Sequence, residues 1–151
     1  MFPGIGNFNY PSNRLLKLRG ILSAEEICPP NPLPEEPPIQ YVIKRGLTTF
    51  TTIGRLNGFE SHVRRYSVLG NRDSVEAAVH SYNNKSGPFS KDGDSGSIIV
   101  DALGKFVALL TGGSGLTDAS DITYGSPMYW LWEIIKVQFP GANLSFDDND
   151  N

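Results

Sequence analysis

The sequence predicts an all-β domain, a small barrel or sandwich, with one helix near its C-terminal end. Short runs rich in β-branched and aromatic residues recur between Ile39 and Thr111, punctuated by glycine and asparagine turns. Helical spacing of apolar residues appears only beyond Pro127, where Trp130, Ile134 and Val137 recur with Glu133 and Lys136 between them. The chain has 151 residues, of which 39% are hydrophobic, and this suits a single domain of ordinary globular composition.

Residues 1–38 read as an extended arm outside that domain. Leu15-Leu16-Lys17-Leu18-Arg19-Gly20-Ile21-Leu22 is apolar and basic but too brief to form a core of its own. The run from Pro29 to Pro38 holds proline at high density, which removes backbone donors and favours extended polyproline II, the texture of a linker. From Ile39 the β texture begins. Tyr41-Val42-Ile43-Lys44 reads as a first strand, ended by Gly46, and Thr48 to Ile53 as a second, interrupted by Gly54. Asn57-Gly58 is a strong hairpin-turn signal before a third strand over His62–Val68. Val75–Tyr82 makes a fourth, and Ser97–Asp101 with Phe106–Thr111 make a hairpin about Gly104. Pro127 suits the first position of a helix, Pro140-Gly141 ends it, and the Trp130, Ile134, Val137 stripe is expected to face the core. Residues 145–151 are an acidic tail expected to be solvated.

Bulk properties narrow the function. The net charge is -3, and the densest basic pair, Arg64-Arg65, does not make a phosphate-tracking stripe, so no nucleic-acid partner is expected. No apolar run has the length of a membrane span, and the first residues lack the basic and apolar regions of a signal peptide. Cys28 is the only cysteine, which excludes an internal disulfide and a thiolate metal cluster and favours an intracellular, reducing location.

The most informative segment is Asp92-Gly93-Asp94-Ser95-Gly96-Ser97, followed at once by the apolar run Ile98-Ile99-Val100. Glycines on both sides of Asp94-Ser95 permit a turn too tight for residues with a Cβ. Such a turn holds the Ser95 hydroxyl clear of its strand and aims the Gly93 and Ser95 amides at one point. Acyl transfer needs that arrangement, because donors fixed in advance stabilise the oxyanion as it forms. A calcium loop is a poor match: glycine stands at the third ligand position and leucine at the twelfth. An α/β-hydrolase elbow would need glycine at Ser97.

The order of parts after this turn resembles the second barrel of chymotrypsin/trypsin-like serine proteases. Gly93-Asp94-Ser95-Gly96-Ser97 and its hairpin are followed by Thr111-Gly112-Gly113-Ser114-Gly115, by Tyr124-Gly125-Ser126-Pro127 and by a terminal helix. The stretch Val42 to Gly54 resembles the opening strands of that barrel in disulfide-poor members, and the whole is similar to trypsin-like domains of fungal proteins. The resemblance covers residues 39–144 and implies a six-stranded antiparallel Greek-key barrel. It implies Ser95 as nucleophile, Gly93 and Ser95 amides as oxyanion hole, and Thr111, Gly112 and Gly113 as the edge that takes a peptide by strand addition. It places Phe89 and Ser90 in the pocket for the side chain preceding the cleaved bond. It implies no cofactor or metal, and a peptide or protein as substrate.

What the resemblance does not bring is a base. A serine hydroxyl needs one within hydrogen-bond reach, oriented by a third group. The family order is His, Asp, Ser, with the first two on the first barrel. Here the two histidines, His62 and His80, both lie within the second-barrel segment and read as strand residues, while Asp94 and Asp101 read as turn carboxylates. The chain thus reads as half an enzyme, competent with a missing N-terminal barrel as partner. The alternative is a non-catalytic module that binds an extended peptide or protein in the same groove.

Overall fold

A computed structural model describes Ser12 and residues 15–29, 39–115 and 121–145. Its strands are β1 (Gly20–Ile21), β2 (Tyr41–Arg45), β3 (Thr51–Arg65), β4 (Arg72–Ser81), β5 (Ile98–Asp101), β6 (Lys105–Ser114) and β7 (Ile122–Pro127). Its helices are α1 (Ala24–Ile27) and α2 (Met128–Gln138). The proline-rich linker lies outside the described residues from position 30 to 38, as does the tail from position 146 onward.

The strands form one sheet in the order β1-β6-β5-β2-β3-β4-β7, and β6 also pairs with β7. The antiparallel ladders from β6 through β5, β2, β3, β4 and β7 therefore return to β6. A purely antiparallel six-stranded sheet is corrected by β1, which pairs in parallel with β6 as a seventh strand. The N-terminal arm is accordingly more than an extended strap. Leu22 and Ile27 are buried in the main core with Val42, Val79, Ile99 and Val107, and Leu16 and Ile21 pack on a second cluster around Ile43, Phe106 and Met128. Short apolar runs contribute to a core when a neighbouring sheet supplies the other wall. Ser23 and Glu26 form a reciprocal capping box that starts α1.

Three further expectations change. Asn57-Gly58 is not a hairpin turn: β3 runs through it, and its register against β4 shifts between Leu56 and Glu60. Asparagine and glycine suit an irregularity inside a strand as well as a turn, and here the former occurs. The aromatic stripe of α2 does not face the core either, since Trp130, Ile134 and Val137 are 53%, 41% and 75% exposed. The inward face is instead Met128, with Leu131 partly buried beside it. Pro127 does not fill the first helical position but precedes it as N-cap, with φ -57° and an extended ψ of 133°, and the helix ends at Gln138 just before Pro140.

Candidate functional site

Two successive turns build the segment before β5. The Asp94 amide donates to the Lys91 carbonyl at 3.0 Å, and the Ser97 amide donates to the Asp94 carbonyl at 3.1 Å. Gly93 and Gly96 sit at φ 96° and 86°, where a side chain is strained. The turn joins the sheet through Gly96, whose amide donates to the Leu110 carbonyl at 2.8 Å, and Leu110 returns a bond to the Ser97 carbonyl at 2.9 Å.

Beneath the turn lies an ion pair that the sequence reading missed. Lys44 Nζ stands 3.1 Å from Asp94 Oδ2, and both side chains are 0% exposed. Lys44 also donates to Thr49 Oγ1 and to the Phe50 carbonyl. Asp94 accepts from the amides of Thr48 (2.8 Å), Thr49 (3.2 Å) and Lys91 (3.1 Å) and from the Thr49 hydroxyl (2.6 Å). Burial pushes the Asp94 pKa upward, but the Thr49 hydroxyl and these amides outweigh it and hold the carboxyl well below its ordinary value. The segment Gly46–Phe50 is thereby drawn under the Ser95 turn, and this is why the second strand starts at Thr51 rather than Thr48. The signal in the sequence was Lys44 itself, an ammonium two residues after Val42 on an otherwise apolar strand.

Ser95, Gly93 and Gly96 are exposed. Among the described residues no acceptor takes the Gly93 or Ser95 amide, and the Ser95 hydroxyl has no partner. Ser95 lines two clefts. One, of about 640 Å³, has apolar walls that include Leu16, Leu18, Ile43, Leu47 and Ile98. The other, of about 540 Å³, lies between Ser90–Asp92 and the Gly112–Gly115 stretch, with Asp121 on its far side. Ser90 belongs to that second cleft, and its hydroxyl is bonded to Thr123 Oγ1 at 2.6 Å.

Phe89, expected in the pocket wall, is instead 2% exposed within the core. Gly54 leaves room for its ring, which a Cβ there would meet at 2.7 Å, and the ring packs 5.7 Å from Lys44 Nζ. Thr111, Gly112 and Gly113 lie where β6 outruns β5: the last contacts on that side are made by Leu109 and Leu110. On the other side Gly112 and Gly113 pair with Tyr124 and Thr123 of β7. One edge of this stretch, next to Ser95, is therefore without a strand neighbour among the described residues.

Neither histidine lines either cleft. His62 stands opposite Val75, and His80 opposite Arg55 and Ile122, both within the β ladders. Asp101 caps the β5–β6 turn by accepting from the Leu103 and Lys105 amides at 2.9 and 2.8 Å. Burial raises its pKa in spite of those two bonds.

No family model and no curated protein sequence matches the chain. Among solved structures, the crystal structure of Cellulomonas bogoriensis chymotrypsin matches with a TM-score of 0.51 and 19% identity over 83% of this chain. The chain spans 56% of the length of that structure. At such identity the likeness shows the fold: a β-rich, trypsin-like architecture with a C-terminal helix.

Proposed function

We propose that this trypsin-like fold is the nucleophile-bearing second barrel of a serine endopeptidase, with Ser95 as acyl acceptor. The observation that carries the reading is the contrast at the turn: a fully bonded, buried Asp94 beneath an exposed Ser95 whose hydroxyl and amide, with the Gly93 amide, are uncommitted. A peptide laid along the free edge of Thr111–Gly113 presents its scissile carbonyl to Ser95. The Ser95 oxygen bonds to the carbonyl carbon, its proton passes to a base, and the oxyanion is taken by the two amides. The amine then leaves with a proton, and water releases the acyl group.

The base belongs to another segment, a histidine-bearing barrel for which the apolar cleft beside Ser95 is the docking side. With no base, fixed donors and substrate contacts alone leave roughly 10³–10⁴-fold over water, as in proteases deprived of their triad. One observation favours a second reading, a non-catalytic peptide-binding module: no histidine lines the space around Ser95. A serine-directed phosphonate probe separates the two. With imidazole added as an external base, labelling of the wild type and not of Ser95→Ala supports the peptidase lineage, and no labelling of folded wild type supports the binding module.

A further inference from the structure

The far end of the β3–β4 hairpin comes back over the peptide-binding edge. Arg65 is the last residue of β3, and its Nη2 lies 3.3 Å from where a Cβ on Gly112 would stand. Gly112, having no Cβ, thus makes space for a guanidinium above the edge that β5 leaves unpaired. Arg65 is exposed, and among the described residues its side chain has no ion pair or hydrogen bond. Its neighbour Arg64 differs, being held by both oxygens of Asp73 at 2.6 and 2.8 Å.

The residue directly opposite Arg65 in the ladder is Arg72. Residues directly opposed in an antiparallel pair share a face, and like charges there are destabilising. Arg72 too lacks an ionic partner among the described residues, so two cations stand together with no anion between them. The nearby acids do not neutralise them. Glu76 is buried and bonded to the hydroxyls of Ser74 and Thr111 at 2.8 and 2.9 Å. Asp121 lies toward Gly113, with a partner of its own.

We infer that Arg65, backed by Arg72, selects a carboxylate side chain on the bound peptide, among the residues that lie over Thr111–Gly113 ahead of the cleaved bond. The inference rests on the proposed use of that edge for strand addition and names the substrate class it takes. Selection is confined to this step of the groove. The cleft next to Ser95 carries Lys91 together with Asp92 and Asp121, charges of both signs that give no comparable preference for an acidic side chain. A guanidinium presents a fork of donors matched to a carboxylate, which is why a neutral isostere loses most of the contact.

The test uses two labelled extended peptides, identical except for Glu or Gln at the positions facing Gly112, titrated into the full chain by fluorescence anisotropy. The Glu peptide is expected to bind roughly two- to fivefold tighter, the scale of one partly exposed charge pair. That preference disappears in Arg65→Gln and shrinks at high salt. Equal binding of both peptides, or a preference that survives Arg65→Gln, overturns the inference while leaving the edge as a peptide site. Failure of both peptides to bind overturns the edge reading together with it.

Discussion

The two surfaces of the Ser95 turn are opposites. Its underside is closed: Lys44, Asp94, Thr48, Thr49 and Lys91 satisfy one another, and both charges are withdrawn from water. Its outer side is open, with a hydroxyl and two amides that bond to nothing in the described structure. Burying a pair of charges is a weak source of stability and a strong source of geometry, since each partner is expensive to leave alone. The lesson is that the groups that hold the turn and the groups it leaves open stand on different sides of one short loop. The underside fixes where the outer groups point without using them.

Changes to the underside should therefore have the largest effect. Asp94→Ala strands the Lys44 ammonium and the three amides, and is expected to cost about 3–5 kcal/mol in urea unfolding. Lys44→Met should cost less, because Asp94 keeps its bonds to Thr48, Thr49 and Lys91. The same interaction is visible without mutation. The Asp94 carboxyl is depressed in the folded state, so its contribution is complete above its ordinary value of 3.8 and is lost as pH falls toward the depressed one. The wild type should lose stability progressively on acidification below about pH 5. Asp94→Asn should show a shallower slope there, and equal slopes would detach the pair from the stability of the turn.

Next in size is Gly93→Ala. The new Cβ meets Thr48 Oγ1 at 2.5 Å at a backbone φ of 96°, for an expected loss of about 1–3 kcal/mol. Thr48 belongs to the underside, so this substitution couples the two surfaces. If Gly93→Ala is neutral in thermal unfolding, the turn is looser than the comparison requires.

Smallest are changes that touch only open groups. Ser95→Ala removes an unpartnered exposed hydroxyl and should shift stability by no more than about 0.5 kcal/mol. Trp130→Gln, on the exposed stripe of α2, should be equally mild for the fold. It should also reduce self-association in sedimentation, since Trp130, Ile134 and Val137 form an uncovered apolar row.

The β texture, the Gly93–Gly96 turn, the β5–β6 hairpin and the terminal helix were legible because each depends on local chemistry: branched residues, glycine, proline. What escaped depends on partners distant in sequence. Lys44 reads as a strand residue until Asp94, fifty positions on, is seen beneath the turn. Phe89 reads as a pocket wall by its place before Ser90, but Gly54 admits its ring to the core. Asn57-Gly58 carries the same composition as a turn, and only the pairing with β4 shows a strand continuing through it. The outward stripe of α2 has the same periodicity as an inward one, and the choice was made by Met128 and Leu131. The Arg65 guanidinium reaches Gly112 only because the hairpin folds over β6, which no spacing reveals.

The most direct measurement is a backbone amide NMR titration with a peptide boronate, run on wild type and Ser95→Ala. The account predicts an adduct on Ser95 in which the Gly93 and Ser95 amides shift most, with the Lys44–Asp94 pair undisturbed and the whole pattern absent from Ser95→Ala. Shifts of the same size in Ser95→Ala, or an adduct on Ser95 that leaves both amides unmoved, would contradict it.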